Sequence, residues 1–193
     1  MGVTSEVEIV NGALIKLGAQ TILSLDEQTS RGILCKAAYS KMRDLLLRGH
    51  PWHFNKGYTS LAQIDPKPSD VFDYDYVYQL PSDCVRVFDV DSPEIKWEEL
   101  ENGTLGSDAT TIKIKYGKKI TDVTKFDSAF IEALEWAIAH HVAYSITQSG
   151  ERQDYCRKML DGELAKARSF SAQVGTPQQV TAKSWLYARR GWR

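Results

Sequence analysis

The feature that most constrains this chain is a change of hydrophobic period. Apolar residues recur at threes and fours up to Arg48, alternate at twos between Trp52 and Tyr116, and return to helical spacing after Asp122. A period of 3.6 draws an apolar stripe along a helix, and a period of 2 turns one face of a strand toward a core. The order is therefore helices, strands, helices: an α+β chain with a four-helix body and a small inserted antiparallel β-sheet. Its 193 residues suit a single domain with one real core.

The first helix is predicted over about 5–18. Ser5 and Glu8 stand in capping-box register, Val7, Val10, Leu14 and Leu17 follow at helical spacing, and Gly18 is placed to stop the helix in a left-handed conformation. The second, about 26–48, puts Leu34, Ala38, Met42, Leu45 and Leu46 on one face and Arg31, Lys36, Lys41 and Arg43 on a solvated one. Gly49 and Pro51 end it, because proline cannot continue the hydrogen-bond ladder.

The β-rich insert covers about 52–117. Tyr74, Tyr76 and Tyr78 alternate with Asp75 and Val77, a Leu80–Asp83 turn precedes Val85, Val87 and Phe88, and Ile112 and Ile114 alternate with Lys113 and Lys115. Asn102-Gly103 suits a tight turn whose residues need positive φ. Helices return over about 126–149, with Asp127 as N-cap and Gly150 closing the segment, and over about 151–174, ended by Gly175 and Pro177. These two should pack antiparallel. Residues 1–175 thus form one domain, followed by an aperiodic, extended C-terminal tail, 176–193.

Composition narrows the function. No apolar run approaches the ~18 residues that a membrane-spanning helix needs, and the N-terminus has no basic region followed by an apolar one, so the expected compartment is cytoplasm-like. Cys35, Cys84 and Cys156 are too far apart for a metal motif and odd in number, which argues against a disulfide scaffold. The formal net charge of −1 speaks against a general nucleic-acid binder, yet it hides an acidic middle. From Asp65 to Asp108 there are 12 acids against Lys67, Arg86 and Lys96, whereas the tail holds four bases and no acid.

Particular words in the chain are uncommon. Ala38-Tyr39 precedes the stretch Leu45-Leu46-Leu47-Arg48-Gly49-His50-Pro51-Trp52-His53-Phe54, which resembles a segment of the phage head-to-tail adaptors, the family of tail tubular protein A. Asn11-Gly12-Ala13-Leu14 with Leu17-Gly18 and Ile22-Leu23-Ser24-Leu25 is similar to that family's opening. Tyr76 to Val87 is similar to its strand pair around Leu80-Pro81-Ser82-Asp83, and Phe130-Ile131-Glu132-Ala133-Leu134 to the start of a late helix. The resemblance covers roughly residues 7 to 172. It implies a non-catalytic virion protein, made in the bacterial host cytoplasm, that forms a dodecameric ring beneath the portal protein. A β-rich part would face the tail nozzle protein, which is similar to tail tubular protein B, and genomic DNA would pass through the lumen without specific binding. No cofactor, metal or membrane is implied.

Several residues invite a sharper reading. His50, Trp52, His53 and Phe54 read as a helix stop followed by a structural anchor of Pro51, Trp52 and Phe54, since a metal would need carboxylate or thiolate partners at coordinating distance. His140 and His141 point about 100° apart on a helix and cannot chelate one ion from the same face, and one of them is expected to pack inward. Asp73 with Asp75, or Glu98 with Glu99, could be the paired carboxylates of a peptidoglycan hydrolase, a muramidase-like alternative. The simpler reading makes them solvated or lumen-facing acids that repel DNA phosphates.

The tail joins Lys183, Arg189, Arg190 and Arg193 to Trp185, Leu186, Tyr187 and Trp192. That composition fits a DNA-binding module, with aromatics on bases and cations on phosphates. It fits a portal-docking anchor better, because the body carries no net basic charge and Trp, Tyr and Arg dominate protein interfaces.

Overall fold

The computed structural model describes residues 5–174; the tail assigned to portal docking, Lys183 to Arg193, lies outside the described residues. The chain is α+β, with four helices and two small antiparallel sheets.

Helix α1, Glu6–Leu17, begins where the Ser5 hydroxyl accepts from the Glu8 amide at 3.2 Å, and ends at Gly18, whose φ of 71° is left-handed. Helix α2 spans Ser30–Gly49, α3 Ser128–Thr147 and α4 Gly150–Gln173. Helices α3 and α4 pack along each other, and α1 and α2 both lie against α3. Their shared core includes Ile9, Leu14, Tyr39, Leu47, Phe130, Leu134 and Ile138.

Four helical expectations are corrected. Helix α2 starts at Ser30 and not near Asp26, because the Thr29 hydroxyl accepts from the Gly32 amide at 3.1 Å and so sets the first turn. Its buried face holds Cys35, Ala38, Tyr39, Met42, Leu46 and Leu47, while Leu34 and Leu45 remain 39% and 59% exposed. Arg43, expected on the solvated side, is buried: its guanidinium lies 5.5 Å from the Tyr39 ring and donates to Asp44 at 2.9 Å, which makes its burial tolerable. Gly150 does not close α3. Gln148 does, with φ 52° and its N–H on the Tyr144 carbonyl, because Ser149 already serves as N-cap of α4 and accepts from the Arg152 amide.

Between α2 and α3 run strands β1, Lys56–Ser60; β2, Ala62–Gln63; β3, Tyr76–Gln79; β4, Cys84–Val90; β5, Trp97–Leu100; β6, Thr104–Ser107; and β7, Lys113–Lys118. Asn102 and Gly103, both at positive φ, turn β5 back into β6. The single sheet expected from the sequence is two: a three-stranded sheet ordered β1-β7-β4 and a four-stranded sheet ordered β2-β3-β6-β5.

One extended segment supplies an edge to each. Leu61 still donates to the Ile112 carbonyl beside β7, and Ile64 already donates to the Val77 carbonyl of β3, so the chain changes sheets between them. Tyr78, Val87, Val90, Leu105, Ile112, Ile114 and Tyr116 fill the space between the sheets. Burying these two facing surfaces needs two layers, and a single flat sheet of seven strands would leave one of them in water.

Candidate functional site

The junction between helical body and β-sandwich is built by residues 50–55. Trp52 is 1% exposed; its indole N–H donates to the Leu46 carbonyl at 2.8 Å, and its ring meets Phe54 in a stack and Phe130 edge-on. Pro51 is half-buried beside it, and Phe54 packs on Phe126 and Phe130. Asn55, fully buried, donates its side-chain amide to the Leu47 carbonyl at 3.2 Å, while its main-chain carbonyl accepts from the Lys118 amide at 2.7 Å. The end of α2 is thereby tied to the end of β7, and Arg48 adds a bond to the Val85 carbonyl of β4 at 3.0 Å.

His53 lies in the same segment, close to Ser171 and Asp127. Its backbone N–H, not its imidazole, donates to the buried Ser171 hydroxyl at 2.9 Å, and its Nε2 stands 4.0 Å from Asp127 Oδ2. Asp127 Oδ1 is engaged with the Ala129 amide as N-cap of α3. What these contacts do is structural: the main-chain bond to Ser171 holds α4 against the junction. Burial, with the cations Arg168 and Lys56 nearby, pushes the His50 imidazole below its ordinary range. His140 is half-buried and His141 exposed, so neither turns fully inward. No group of three or more His, Cys, Asp or Glu that could hold a metal ion occurs among the described residues.

The four candidate acids do not come together. Asp73 and Asp75, placed by sequence on one face of a strand, are exposed in the loop before β3, which starts only at Tyr76. The reason is Tyr74. Its ring covers Gly106 on the outer face of the four-stranded sheet, where an added Cβ would come within 2.5 Å of it, and its hydroxyl donates to Glu98 at 2.9 Å. The segment that sequence alternation reads as strand is thus folded over that sheet, which explains why Val77 and Tyr78, on opposite faces of β3, are both buried. Asp108 joins this group by accepting from the Asp75 amide at 3.3 Å.

Glu98 and Glu99 are consecutive on β5 and point to opposite faces. Glu98 meets Tyr74 on the outside; Glu99 faces the other sheet and accepts from the Val87 amide of β4. Strand β4 is an edge of its sheet, with register shifts between Cys84 and Arg86 and between Val87 and Asp89.

No protein-family model matches this chain, and no curated protein matches it.

Sequence reasoning passed over a second feature of the sandwich. On the outer face of the three-stranded sheet, Tyr58 stands beside Lys115, which stands beside Asp89, and Ser60, Lys113 and Asp91 form the next row. These rows line an open groove of about 560 Å³. The alternation of Lys113 and Lys115 with buried isoleucines was the available signal, but only the pairing of β1 and β4 with β7 shows that the lysines share a face with an exposed tyrosine. Elsewhere, in the body, Lys16 reaches Glu132 and Glu135, and Gly12 makes room for it: a Cβ there would sit 2.4 Å from the Glu135 carboxyl. Burial raises the Glu135 carboxyl above its ordinary range against the pull of Lys16, as expected of a clasp among α1 and α3.

Proposed function

We propose that this chain is a structural ring subunit of a bacteriophage particle, a head-to-tail adaptor that sits between the portal and the tail nozzle. The observation that carries this reading is the two-part architecture: a helical body and a β-sandwich joined rigidly through the Leu45–Phe54 segment, the same words that resemble the adaptor family. In this reading the body meets the portal, the sandwich faces the nozzle protein, and the terminal residues 176–193 grip the portal. Apolar side chains left exposed on a lone copy support an assembled state in the same sense: Ile33 and Leu45 on α2, Tyr144 on α3 and Phe170 on α4 are all more than half exposed.

About 12 copies would close by head-to-tail contacts around the DNA channel, the number being that of the adaptors the chain resembles. Asp75, Glu98 and Asp108, gathered on the outer side of the four-stranded sheet, are the acids available to keep phosphates from adhering to the ring. The muramidase alternative draws no support from the acids named for it, since Glu98 and Glu99 diverge and Asp73 and Asp75 stand exposed in a loop.

The test is to mix the protein with its cognate portal assemblies and view the product by electron microscopy. A ring added beneath the portal by the full chain, and lost on deleting residues 176–193, is the expected result. A protein that hydrolyses peptidoglycan in a zymogram and never joins a portal would overturn the reading.

A further inference from the structure

The two outer faces of the sandwich carry opposite features. On the three-stranded side, the groove floor is Lys113 and Lys115, with Tyr58, 73% exposed, on the β1 wall. Neither lysine has an ion-pair partner among the described residues, and burial, with the Lys115 cation nearby, holds Lys56 below its ordinary range. The carboxylates on the opposite wall are already engaged with main-chain amides: Asp89 Oδ1 accepts from Val90, and Asp91 Oδ1 from Lys113. The groove thus presents two ammonium groups that form no ion pair among the described residues, with two aspartate carboxylates along the far wall and an exposed aromatic ring on the near one.

On the four-stranded side, the loop between β2 and β3 is fastened at its base and bare at its tip. Lys67 Nζ donates to the Tyr74 carbonyl at 2.8 Å, Tyr74 is held by Glu98, and Val71 donates to the Pro68 carbonyl to make a turn. Phe72 projects from this turn 85% exposed, between Asp70 and Asp73, which form no ion pair among the described residues. A large apolar ring held in water by a fastened loop, with an acid on each side, is the complement of a groove with one aromatic wall and a cationic floor.

We infer that the groove receives the 64–75 loop of a second copy of this chain, with Phe72 against Tyr58 and the lysine stems, and with Asp70 and Asp73 paired to Lys113 and Lys115. Because loop and groove lie on opposite faces of one sandwich, the contact is head-to-tail, the kind that closes into a ring. The inference rests on the ring reading above and names its contact. A nucleic-acid strand is the poorer occupant. A continuous run of phosphates would have to pass along both Asp89 and Asp91, whereas a guest with only two acids flanking one ring can set each acid on a lysine.

The experiment uses two batches of full-length protein, one carrying Phe72→Cys and the other Tyr58→Cys, both side chains being largely exposed. Under mild oxidation, disulfide-linked dimers should form when the batches are mixed and not within either batch alone. Sedimentation should show Asp73→Lys and Lys113→Asp each weakening self-association about tenfold or more, with the doubly swapped chain restored. If the chain builds a ring on the portal while the two cysteines never link, the contact is wrong and the ring reading stands. If it neither joins the portal nor self-associates at millimolar concentration, both fall. If Lys113→Asp abolishes binding of a DNA oligonucleotide and leaves self-association unchanged, the groove belongs to nucleic acid and the inference is overturned.

Discussion

The indole N–H of Trp52 donates to the carbonyl of Leu46, 2.8 Å away and six residues earlier, at the last turn of α2. That carbonyl is among the last four of a helix, which have no partner within it. A tryptophan just beyond the helix end therefore satisfies one of its orphan acceptors and fixes the direction in which the chain leaves.

Trp52→Ala should destabilise the protein by about 3–5 kcal/mol, the cost of emptying a buried aromatic site. Trp52→Phe keeps most of the packing but leaves the Leu46 carbonyl unpaired, and should cost about 1–3 kcal/mol. Urea denaturation of both variants checks this; a Phe variant as unstable as the Ala variant would show that the hydrogen bond, rather than the ring, dominates.

Glu99 joins the two sheets through the Val87 amide. Glu99→Ala should open that edge: exchange of the Val87 amide, followed by NMR, should accelerate about tenfold, with a loss of about 1 kcal/mol in global stability. Glu99→Gln, which keeps a neutral acceptor, should fall between.

His50 gives a pH dependence of known sign. Its folded pKa lies below the ordinary value of 6.5, chiefly through burial and then through Arg168 and Lys56, so the unfolded chain binds the extra proton more readily. The associated stability is complete above that value and is lost as pH falls through it toward the folded pKa. His50→Gln should lack this component. Urea midpoints of wild type and variant, compared at pH 7.5 and pH 5, should converge toward the acid end; parallel curves would remove His50 from the account.

All three thiols should react slowly with a disulfide reagent at pH 8. Cys35 and Cys156 are fully buried, and burial with Glu99 and Asp83 nearby pushes Cys84 up to about 11, which leaves little thiolate. Counting thiols in native protein and again in urea gives the test: few should react promptly before unfolding and three after it.

Much of the site's failure to appear in the sequence has one cause. Sequence alternation reports which way a side chain points, not what lies over it. Tyr74 to Tyr78 alternates as a strand should, yet Tyr74 belongs to a loop folded over the sheet that Tyr76 begins, so Asp73 and Asp75 were assigned to a strand they do not join. The face of α2 was misplaced similarly. Leu34 and Leu45 fit the stripe as well as Cys35 and Leu47 do, and only the packing of α1 and α3 decides between them.

What the sequence determined alone is local. Ser5 and Asp127 as caps, Gly18 in a left-handed turn, Pro51 after the helix end, and Asn102-Gly103 between β5 and β6 each follow from the backbone needs of a few neighbouring residues. The number of helices and the antiparallel character of the strands follow from period and turn length. Tertiary structure alone decided that the strands make two sheets, that Glu99 bridges them, that Arg43 is buried, and that Tyr58 shares a face with Lys113 and Lys115. These depend on which segments meet across tens of residues, and a one-residue change of register turns a side chain to the other face, so no local pattern could fix them.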